Sequence, residues 1–441
     1  MLTAEAVRRE QRVITLRSRY PGDLIVTMLR DPLALLARAA GTGGDLVHAR
    51  LGTRDLYVLC TPDLARALLS CTDHDLVKER ALRLARVMLG NGLLTNEGEP
   101  HRRQRRLILP AFDKRRIASY ALTAADAAED WSRDVEDGTT VEMHGEMARL
   151  TLTIATRALL GAEIDDTAGF LRAVDTATRA FHRHRNPLAE AFDRLPLPGT
   201  MRLRSARHHI DNAIARLIAV SRRNGGSDLL HRVEAGGDSA QARDELVTML
   251  LAGHETTAVA LTWTWHLLAS HPAAESRLHA ELDRVLGPNP PSPEDLPRLT
   301  YTRQVLSESM RLFPPVWAVS REAAADVTIG DHVFRRGAII MMSQFVMHRH
   351  PRYWSAPDRF DPDRFTVPDG IRPFTYLPFS SGTRGCIGER LAWVEAVLVL
   401  AAVARRWRVE PASTAPVGPR PGISLRPDRL MPFRLRRRTV Q

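Results

Sequence analysis

The amino-acid sequence predicts a mainly α-helical protein with a smaller β region, and three observations support this prediction. Over residues 110–285, apolar side chains recur at the helical period. Residues 316–380 instead carry prolines, glycines and short β-branched runs, such as 327–329 and 338–340, which predict strands. The segment from Asp244 to Ser270 is apolar on nearly every side. Its roughly 27 residues predict a helix about 40 Å long, buried at the centre of the protein.

The length and composition indicate one large globular unit. The chain has 441 residues, of which 44% are hydrophobic and 26% are charged, so it can bury a substantial core. No glycine-serine tract, proline run or charge block separates two halves of the sequence. We therefore expect a single domain over residues 1–441.

The formal net charge of +11 raises the question of a nucleic-acid partner. Lys78 and Lys114 are the only lysines among 62 basic residues, and this preference for arginine indicates a genome-composition bias as much as a selected surface. No basic repeat, zinc-finger spacing or recognition-helix pattern accompanies the charge. We expect no nucleic-acid binding, and an acidic protein remains a candidate partner.

Cysteine usage and hydropathy predict the compartment. Three cysteines do not make a disulfide framework and fit a reducing cytoplasm. The apolar run over residues 24–29 is followed directly by Arg30 and Asp31, so it is too short to cross a bilayer, and it has no cleavage-site pattern. We expect a cytoplasmic monomer without a membrane span.

Cys386 stands in the stretch that carries most of the chemical information. A lone cysteine is more often an inert core residue than a ligand. Here, however, glycines at 382, 385 and 388 leave space in which a flat macrocycle could approach the backbone. A helical run starts at Glu389, and the amides and dipole at its N-terminus would stabilise a thiolate.

Phe379 and Arg384 complete this pattern. Phe379 can shield the sulfur from water, and Arg384 offers a guanidinium for a propionate of the macrocycle. The full spacing, F-x-x-G-x-R-x-C-x-G, resembles the haem-binding loop of the cytochrome P450 family and is a highly specific short motif. On this resemblance, Cys386 is the thiolate ligand of the iron in haem b (iron protoporphyrin IX). Phe379, Gly382, Arg384 and Gly388 are then cofactor-binding residues.

Three further stretches match motifs of this family in the family's order, so the resemblance covers most of the chain. Residues 308–311 look like its E-x-x-R, residues 362–365 like its P-E-R-F element, and residues 252–257 like its central-helix oxygen motif. The resemblance implies the cytochrome P450 fold, with the long central helix lying over the haem.

Two of these stretches imply an ion cluster behind the haem. Glu308 and Arg311 lie three residues apart on a predicted helix and can pair. On the resemblance, Arg364 joins them in a buried cluster. Taken alone, an E-x-x-R is a common surface pair of little energetic weight.

The central helix carries the residues expected to be catalytic. Gly253 lacks a side chain where dioxygen needs room, and the hydroxyl of Thr256 can bend back onto the preceding turn. Glu255 and Thr256 resemble the family's acid–alcohol pair, which delivers protons during oxygen activation.

Residues 97–106 resemble the family's W-x-x-x-R helix, but His101 stands where tryptophan is usual. Both side chains can donate a hydrogen bond to a haem propionate. Arg105 keeps the arginine position, and Arg321 lies where many bacterial members place another propionate-binding arginine. For each arginine, a solvated surface position is the alternative.

Substrate-lining positions follow from the resemblance alone, and their side chains are mostly aliphatic. A hydrophobic small molecule is therefore expected, either a terpenoid, a polyketide or a fatty-acid-like compound. These positions are region 79–96, Met249, Ala252, Val316, Val319 and Ile423.

The expected activity is that of a monooxygenase that hydroxylates or epoxidises such a molecule in natural-product metabolism. The sequence shows no fused flavin or iron–sulfur domain, so the electrons would come from NAD(P)H through a ferredoxin reductase and a ferredoxin. A basic face near Cys386, with Arg102, Arg384 and Arg390, would suit an acidic ferredoxin. The alternatives are a peroxide-using or isomerising enzyme of the same fold, and a haem-containing sensor without turnover.

Overall fold

The computed structural model describes residues 12–71, 75–183, 198–367 and 370–438. Within these ranges the chain forms two compact units. The smaller unit comprises the described residues up to 79, residues 318–357 and residues 372–377, and the larger unit comprises residues 80–317, residues 358–371 and the described residues from 378 onwards. The single-domain organisation over residues 1–441 stays a prediction.

The protein is mainly α-helical, as the sequence predicts. Short 3₁₀ turns at Leu109–Phe112, Pro293–Asp295, Pro362–Phe365 and Gly382–Arg384 supplement the α-helices. The α-helices of the described residues are α1 (Asp23–Arg30), α2 (Pro32–Ala40), α3 (Pro62–Ser70), α4 (Arg80–Leu84), α5 (Arg86–Leu89), α6 (Gly98–Ile108), α7 (Lys114–Asp134), α8 (Met143–Leu160), α9 (Thr167–Arg183), α10 (Pro198–Arg223), α11 (Asp228–Ala235), α12 (Ser239–Ser270), α13 (Pro272–Leu286), α14 (Thr300–Leu312), α15 (Gln344–Met347) and α16 (Glu389–Arg406).

The strands form one larger sheet, one three-stranded sheet and two hairpins. The larger sheet has the order β1-β2-β3-β9-β6-β4, the three-stranded sheet has the order β10-β13-β5, and the hairpins are β7–β8 and β11–β12. Their bounds are β1 (Val13–Thr15), β2 (Leu46–Leu51), β3 (Arg54–Leu59), β4 (Leu76–Lys78), β5 (Thr140–Glu142), β6 (Val319–Ala323), β7 (Val327–Ile329), β8 (His332–Phe334), β9 (Ile339–Met342), β10 (Trp407–Pro411), β11 (Pro419–Pro421), β12 (Leu425–Pro427) and β13 (Pro432–Arg437).

The six-stranded sheet organises the smaller unit. β3 runs parallel to β9, and β9 pairs antiparallel with β6, where Arg321 stands opposite Ile340. Alternate residues of a strand face the same side, so apolar side chains such as Ile340 and Phe334 form a core against this sheet. The strand predicted at 327–329 is β7, and the one predicted at 338–340 is β9, which begins one residue later.

Helix packing builds the core of the larger unit. α8 packs along α12, α7 packs along α16, and α14 contacts both α12 and α16. Leu306, Leu400 and Trp265 are buried in the apolar cluster where these helices meet. Because α12 is enclosed by other helices, most of its side chains are withdrawn from water.

α12 is the predicted central helix, and it has 32 residues. It ends at Ser270 as predicted, but it begins at Ser239 rather than at Asp244. Asp238 caps the new start, because its carboxylate accepts a hydrogen bond from the Gln241 amide at 2.8 Å. The first turns are polar, so an all-apolar pattern could not reveal them.

The loop before α6 is fixed onto the start of α12. The Asn91 amide donates to Asp244 at 2.7 Å, and the Leu93 amide donates to Glu245 at 2.9 Å. A Cβ atom on Gly92 would lie 2.6 Å from the carbonyl oxygen of Asp244, so the close approach requires glycine. Residues 91–93, which are part of the predicted substrate-lining region 79–96, therefore lie against the start of the central helix.

Candidate active site

The loop that carries Cys386 is closed by its own backbone. The Cys386 amide donates to the Phe379 carbonyl at 3.0 Å, and the Gly385 amide donates to the Gly382 carbonyl at 3.0 Å. A Cβ atom on Gly385 would lie 3.3 Å from the backbone of Ser381, and Gly382 has a φ of 76°. Glycine at 382 and 385 is therefore a condition for this tight turn.

The Cys386 side chain is accessible at the end of this loop. It is nevertheless close enough to surrounding protein that burial raises the pKa of the thiol, while the Gly388 amide and Arg105 act in the opposite direction. α16 starts three residues later at Glu389, whose carboxylate also raises the pKa. The Gly388 amide at the start of this helix thus favours the thiolate, as the sequence predicts, but burial has the larger effect and the pKa of the thiol is raised.

An accessible thiol with a raised pKa can still act as a metal ligand. A metal ion replaces the thiol proton on coordination and so removes the cost of ionisation. Cys60 is buried, and burial raises the pKa of its thiol to about 12, which describes an inert core residue.

Arg105 on α6 reaches the cysteine loop directly. Its guanidinium donates to the Gly385 carbonyl at 2.9 Å. His101 lies one turn earlier on the same helix and is buried. Two residues that the sequence proposes for one cofactor therefore share a helix face beside Cys386.

The Phe379 ring is supported by a residue that sequence reasoning missed. Its centroid lies 5.7 Å from that of Trp393 on α16, and the Arg303 guanidinium covers the Trp393 ring at 4.6 Å. This stack places Phe379 against the helix that follows the cysteine. Arg384, two residues before Cys386, is half-buried.

The structure brings Glu308, Arg311 and Arg364 together. Arg311 donates to Glu308 through Nε at 2.6 Å and through Nη2 at 2.8 Å, and both side chains are fully buried. The Nε atom of Arg364 lies 3.3 Å from Glu308, and the Asp361 amide donates to Glu308 at 2.9 Å. Glu308 on α14 thus fixes the segment around the Pro362–Phe365 turn.

The middle of α12 is partly exposed at the residues that the sequence analysis assigns to oxygen activation. Ala252 is exposed and Thr256 is partly exposed, although His254 between them is buried. A Cβ atom on Gly253 would meet nothing within 4 Å, so this turn faces open space. The Thr256 hydroxyl donates to the Ala252 carbonyl at 2.8 Å, as a threonine bent back onto its helix does.

Glu255 points away from this opening into a buried ion pair with Arg426. The two carboxylate oxygens accept from Arg426 at 2.5 and 2.6 Å, and the Ser424 hydroxyl donates at 2.6 Å. Burial raises the pKa of Glu255, but Arg426 more than offsets this and lowers it to about 2. Glu255 is therefore ionised at neutral pH. Sequence reasoning missed Ser424 and Arg426, because no spacing links them to Glu255.

The substrate-lining predictions fall on several elements. Met249 is buried on α12, one turn before the exposed Ala252. Val316 is half-buried, and Ile423 is 46% exposed at the turn of the β11–β12 hairpin. Trp317 follows Val316 and Gly422 precedes Ile423, and these two neighbours are in contact, since the Trp317 indole donates to the Gly422 carbonyl at 2.9 Å.

Two predicted site residues belong to the smaller unit. Val319 and Arg321 lie on β6 and are half-buried, and the Arg321 guanidinium donates to the Ser320 carbonyl at 2.8 Å. Their parts in substrate and propionate binding stay predictions.

The residues of the larger unit fit a haem bound through sulfur. The cysteine loop presents an accessible thiol beside glycines, and α12 presents a side-chain-free opening at Gly253. These features fit a haem-thiolate protein.

The chain belongs to the cytochrome P450 family. The family model described as Cytochrome P450 matches residues 24–431. The chain is 37% identical to cyclooctatin synthase of Streptomyces melanosporofaciens over 418 residues, which cover 90% of each protein. It is 36% identical to cyclooctat-9-en-7-ol 5-monooxygenase of the same species over 403 residues, or 88% of this chain and 87% of the relative. It is 32% identical to pentalenene oxygenase of Streptomyces avermitilis over 409 residues, or 89% and 90%.

The protein is thus a cytochrome P450 monooxygenase with a haem cofactor, and it requires a redox partner and a hydrophobic substrate. Within the part of the chain that the structure describes, no helix is both long and apolar enough to cross a membrane.

Substitution of Glu308 by alanine should abolish most haem incorporation. Removal of one member of a buried pair strands the other charge, at about 3–5 kcal/mol of folding free energy. The ratio of haem absorbance to protein absorbance in the purified variant measures this effect. Glu99→Ala is the matched control, because Glu99 and Arg102 have the same spacing but are exposed, and its cost should stay below about 1 kcal/mol. Normal haem content in Glu308→Ala would contradict the structural role of the pair.

Proposed function

We propose that this protein hydroxylates or epoxidises a terpenoid in natural-product metabolism. The opening of α12 at Gly253 and Thr256 carries the proposal, because it places a hydroxyl and free space at the middle of a buried helix. One relative is named for an alkenol, cyclooctat-9-en-7-ol, and another for an alkene, pentalenene. Both relatives are terpenoid-modifying monooxygenases, which favours the terpenoid among the three substrate classes.

The overall reaction consumes dioxygen, two electrons and two protons. For hydroxylation, R–H + O₂ + 2 e⁻ + 2 H⁺ gives R–OH + H₂O. The haem, when bound, supplies the activation of dioxygen. The protein has to hold the cofactor, place the substrate, and deliver the protons without admitting bulk water.

Cys386 would hold the haem through its sulfur, and the residues around it would secure the loop and the propionates. Arg105 fixes the Gly385 carbonyl, and the same helix presents His101 toward a propionate. Arg384 would supply a further guanidinium group for a propionate, and the family resemblance alone assigns the same role to Arg321. Phe379 would shield the sulfur from water once the haem is bound, while Gly382 and Gly388 would leave room for the macrocycle.

Thr256 and Glu255 deliver protons. The Thr256 hydroxyl lies at the opening of α12, and in rotating away from the Ala252 carbonyl it can donate to a neighbouring acceptor. Glu255 is the next residue on the helix and reaches inward. Proton transfer through Glu255 requires that its carboxylate leave Arg426, because the paired group carries no proton at neutral pH.

Aliphatic side chains place the substrate over this opening. Met249 and Ala252 contribute from α12, Val316 from the segment after α14 and Ile423 from the β11–β12 hairpin. The family resemblance alone adds Val319 as a substrate contact. A site of this composition binds apolar surface and offers few partners to a charged group.

The substrate proposal is tested by a spectral-shift screen with pentalenene, cyclooctat-9-en-7-ol, fatty acids and macrolide-type polyketides. Product analysis with surrogate ferredoxin and reductase follows for each compound that shifts the haem spectrum. Oxidised terpenoids support the proposal, and turnover confined to fatty acids or polyketides contradicts it. Products formed with hydrogen peroxide but not with dioxygen and ferredoxin would identify the peroxide-using alternative.

Thr256→Ala should consume NAD(P)H while releasing hydrogen peroxide instead of product, because the hydroxyl that guides protons is lost. The molar ratio of peroxide to consumed NAD(P)H should rise severalfold. Thr264→Ala is the matched control, since Thr264 makes the same bond to its preceding turn but is fully buried. An unchanged peroxide ratio in Thr256→Ala would refute this role.

We also propose electron supply from NAD(P)H through a ferredoxin reductase and an acidic ferredoxin. Arg390 is exposed on the first turn of α16, near Cys386, and Arg384 is half-buried in the loop. Arg102 is paired with Glu99, so its positive charge is partly neutralised. The protein works as a cytoplasmic monomer, and residues 1–441 act as one cytochrome P450 domain.

Electrostatic docking makes the rate of haem reduction salt-dependent. Stopped-flow reduction by an acidic ferredoxin should slow as ionic strength rises, because screening weakens the attraction. Arg390→Glu should slow reduction at low salt, whereas Arg420→Glu, on the exposed side of the β11–β12 hairpin, should not. A reduction rate independent of salt would exclude this docking mode.

A further inference from the structure

Helix α1 of the smaller unit turns an aliphatic face to solvent. Leu24 is only 2% exposed, because α1 packs against α2 and β2. Ile25, Val26 and Leu29 are instead 36%, 38% and 50% exposed. These three positions lie within about one turn of each other, so their side chains form a single face. Exposed apolar side chains that adjoin one another mark interaction surfaces.

Tyr20 extends this face at the start of α1. It is 56% exposed, and the Asp23 amide donates to its carbonyl oxygen at 3.1 Å, which keeps it beside the first turn of the helix. The turn between β2 and β3 adjoins the same helix, because a Cβ atom on Gly52 would lie 3.4 Å from the Ile25 side chain. Four large apolar side chains within residues 20–29 are therefore exposed together.

Asp23 fixes the segment before α1 in place. Its buried carboxylate accepts from the Arg19 amide at 2.9 Å and from the Arg38 guanidinium on α2 at 3.0 Å. The same guanidinium donates to the Arg17 carbonyl. Residues 17–23 are thus tied to both helices, and the exposed face has a defined shape before any partner arrives.

The exposed charged side chains over residues 12–30 are all arginines. They are Arg12, Arg17, Arg19 and Arg30, whereas Asp23, the one carboxylate in this range, is buried. The next carboxylate along the chain, on Asp31, caps α2 by accepting from the Ala34 amide at 3.0 Å. Cations therefore flank the aliphatic face on both sides in sequence, and this arrangement is complementary to an anionic surface.

A phospholipid surface fits this combination better than a protein does. A convex helix face offers no pocket for a partner's side chain, whereas the headgroup region admits apolar side chains without a matching shape. A symmetric contact with a second copy of the chain would bring like charges together. Aliphatic side chains in the headgroup region, with arginines at the phosphates, are the usual arrangement of an interfacial segment.

We propose that residues 12–30 dock the protein peripherally on an anionic phospholipid membrane. The side chains of Tyr20, Ile25, Val26 and Leu29 enter the headgroup region, and the arginines bind its phosphates. The purpose of docking rests on the proposed function, because an apolar terpenoid concentrates in lipid and is met there. The docking itself does not depend on the identity of the substrate.

Vesicle sedimentation of the holoprotein tests the charge requirement. Vesicles of phosphatidylcholine mixed with phosphatidylglycerol should bind the protein about tenfold more tightly than phosphatidylcholine alone, because the anionic headgroups attract the arginines. Rising salt should reduce this preference through screening. Arg19→Gln combined with Arg30→Gln should lower binding to the mixed vesicles about tenfold and leave the weak binding to phosphatidylcholine unchanged.

Leu29→Glu tests the aliphatic face. It should lower binding to the mixed vesicles about tenfold, since a carboxylate replaces a side chain that enters the headgroup region. Val333→Glu is the matched control, because Val333 is 60% exposed on β8 of the same unit and undergoes the same change of charge. This control should bind like the wild type. If Leu29→Glu fails to fold, Val26→Ser carries the measurement with a smaller loss of binding.

Hydrogen exchange locates the contact on the chain. The amides of residues 20–30 should exchange severalfold more slowly in the presence of the mixed vesicles, because the membrane covers them. The amides of the β7–β8 hairpin, which carries Val333, should exchange at an unchanged rate.

Equal binding to both kinds of vesicle, no binding to either, or unchanged binding of Leu29→Glu would overturn the inference. Self-association that Leu29→Glu abolishes, in the absence of vesicle binding, would assign the face to a second copy of the chain and also overturn it. None of these measurements uses substrate, dioxygen or electrons. A wrong substrate class therefore leaves vesicle binding as predicted, and a failure to bind vesicles leaves terpenoid oxidation in solution intact.

Discussion

The constraint on which the rest of the structure depends is that one sulfur atom must stay accessible within a protein interior. The loop that ends at Cys386 meets this constraint by bonding its own backbone from Phe379 to Cys386, and the Cys386 side chain stays accessible. Glycine at 382 and 385 makes the turn possible, and Arg105 secures it from α6. Burial disfavours the thiolate, as the raised pKa of the thiol indicates. Coordination to a metal ion would stabilise the thiolate.

Buried ion pairs hold the surrounding helices and loops in position. Taking a carboxylate and a guanidinium out of water costs several kcal/mol for each ion, so such pairs are weak evidence for stability. Glu308 with Arg311 and Glu255 with Arg426 instead link segments that are distant in sequence. The first pair fixes the segment before the cysteine loop, and the second fixes a hairpin on the central helix. These buried charges hold distant segments of the chain in position, and this explains their place in the interior better than a contribution to folding stability does.

The sequence predicted those features that depend on neighbouring residues. The pairing of Glu308 with Arg311 and the end of α12 at Ser270 follow from local patterns, and the structure shows both. The haem-binding role of the cysteine loop also rests on local spacing and stays a prediction. The mainly helical fold was predicted because helical periodicity persists over long segments.

The features that were missed depend on tertiary packing. Arg426 meets Glu255 across 171 residues, and no local pattern signals such a pair. The raised pKa of the Cys386 thiol could not be read from the sequence, because it comes from desolvation, which outweighs the amide at the helix terminus. The start of α12 was placed too late because its first turns are polar and capped by Asp238.

The bond between the Cys386 sulfur and the haem iron is tested most directly by carbon monoxide. The purified, reduced protein should take up carbon monoxide and show the red-shifted Soret absorption that a thiolate-ligated haem produces. Cys386→Ala should lose this absorption and Cys71→Ser should keep it. Uptake of carbon monoxide without the red shift in the unaltered protein, or the absence of haem from it, would contradict the account.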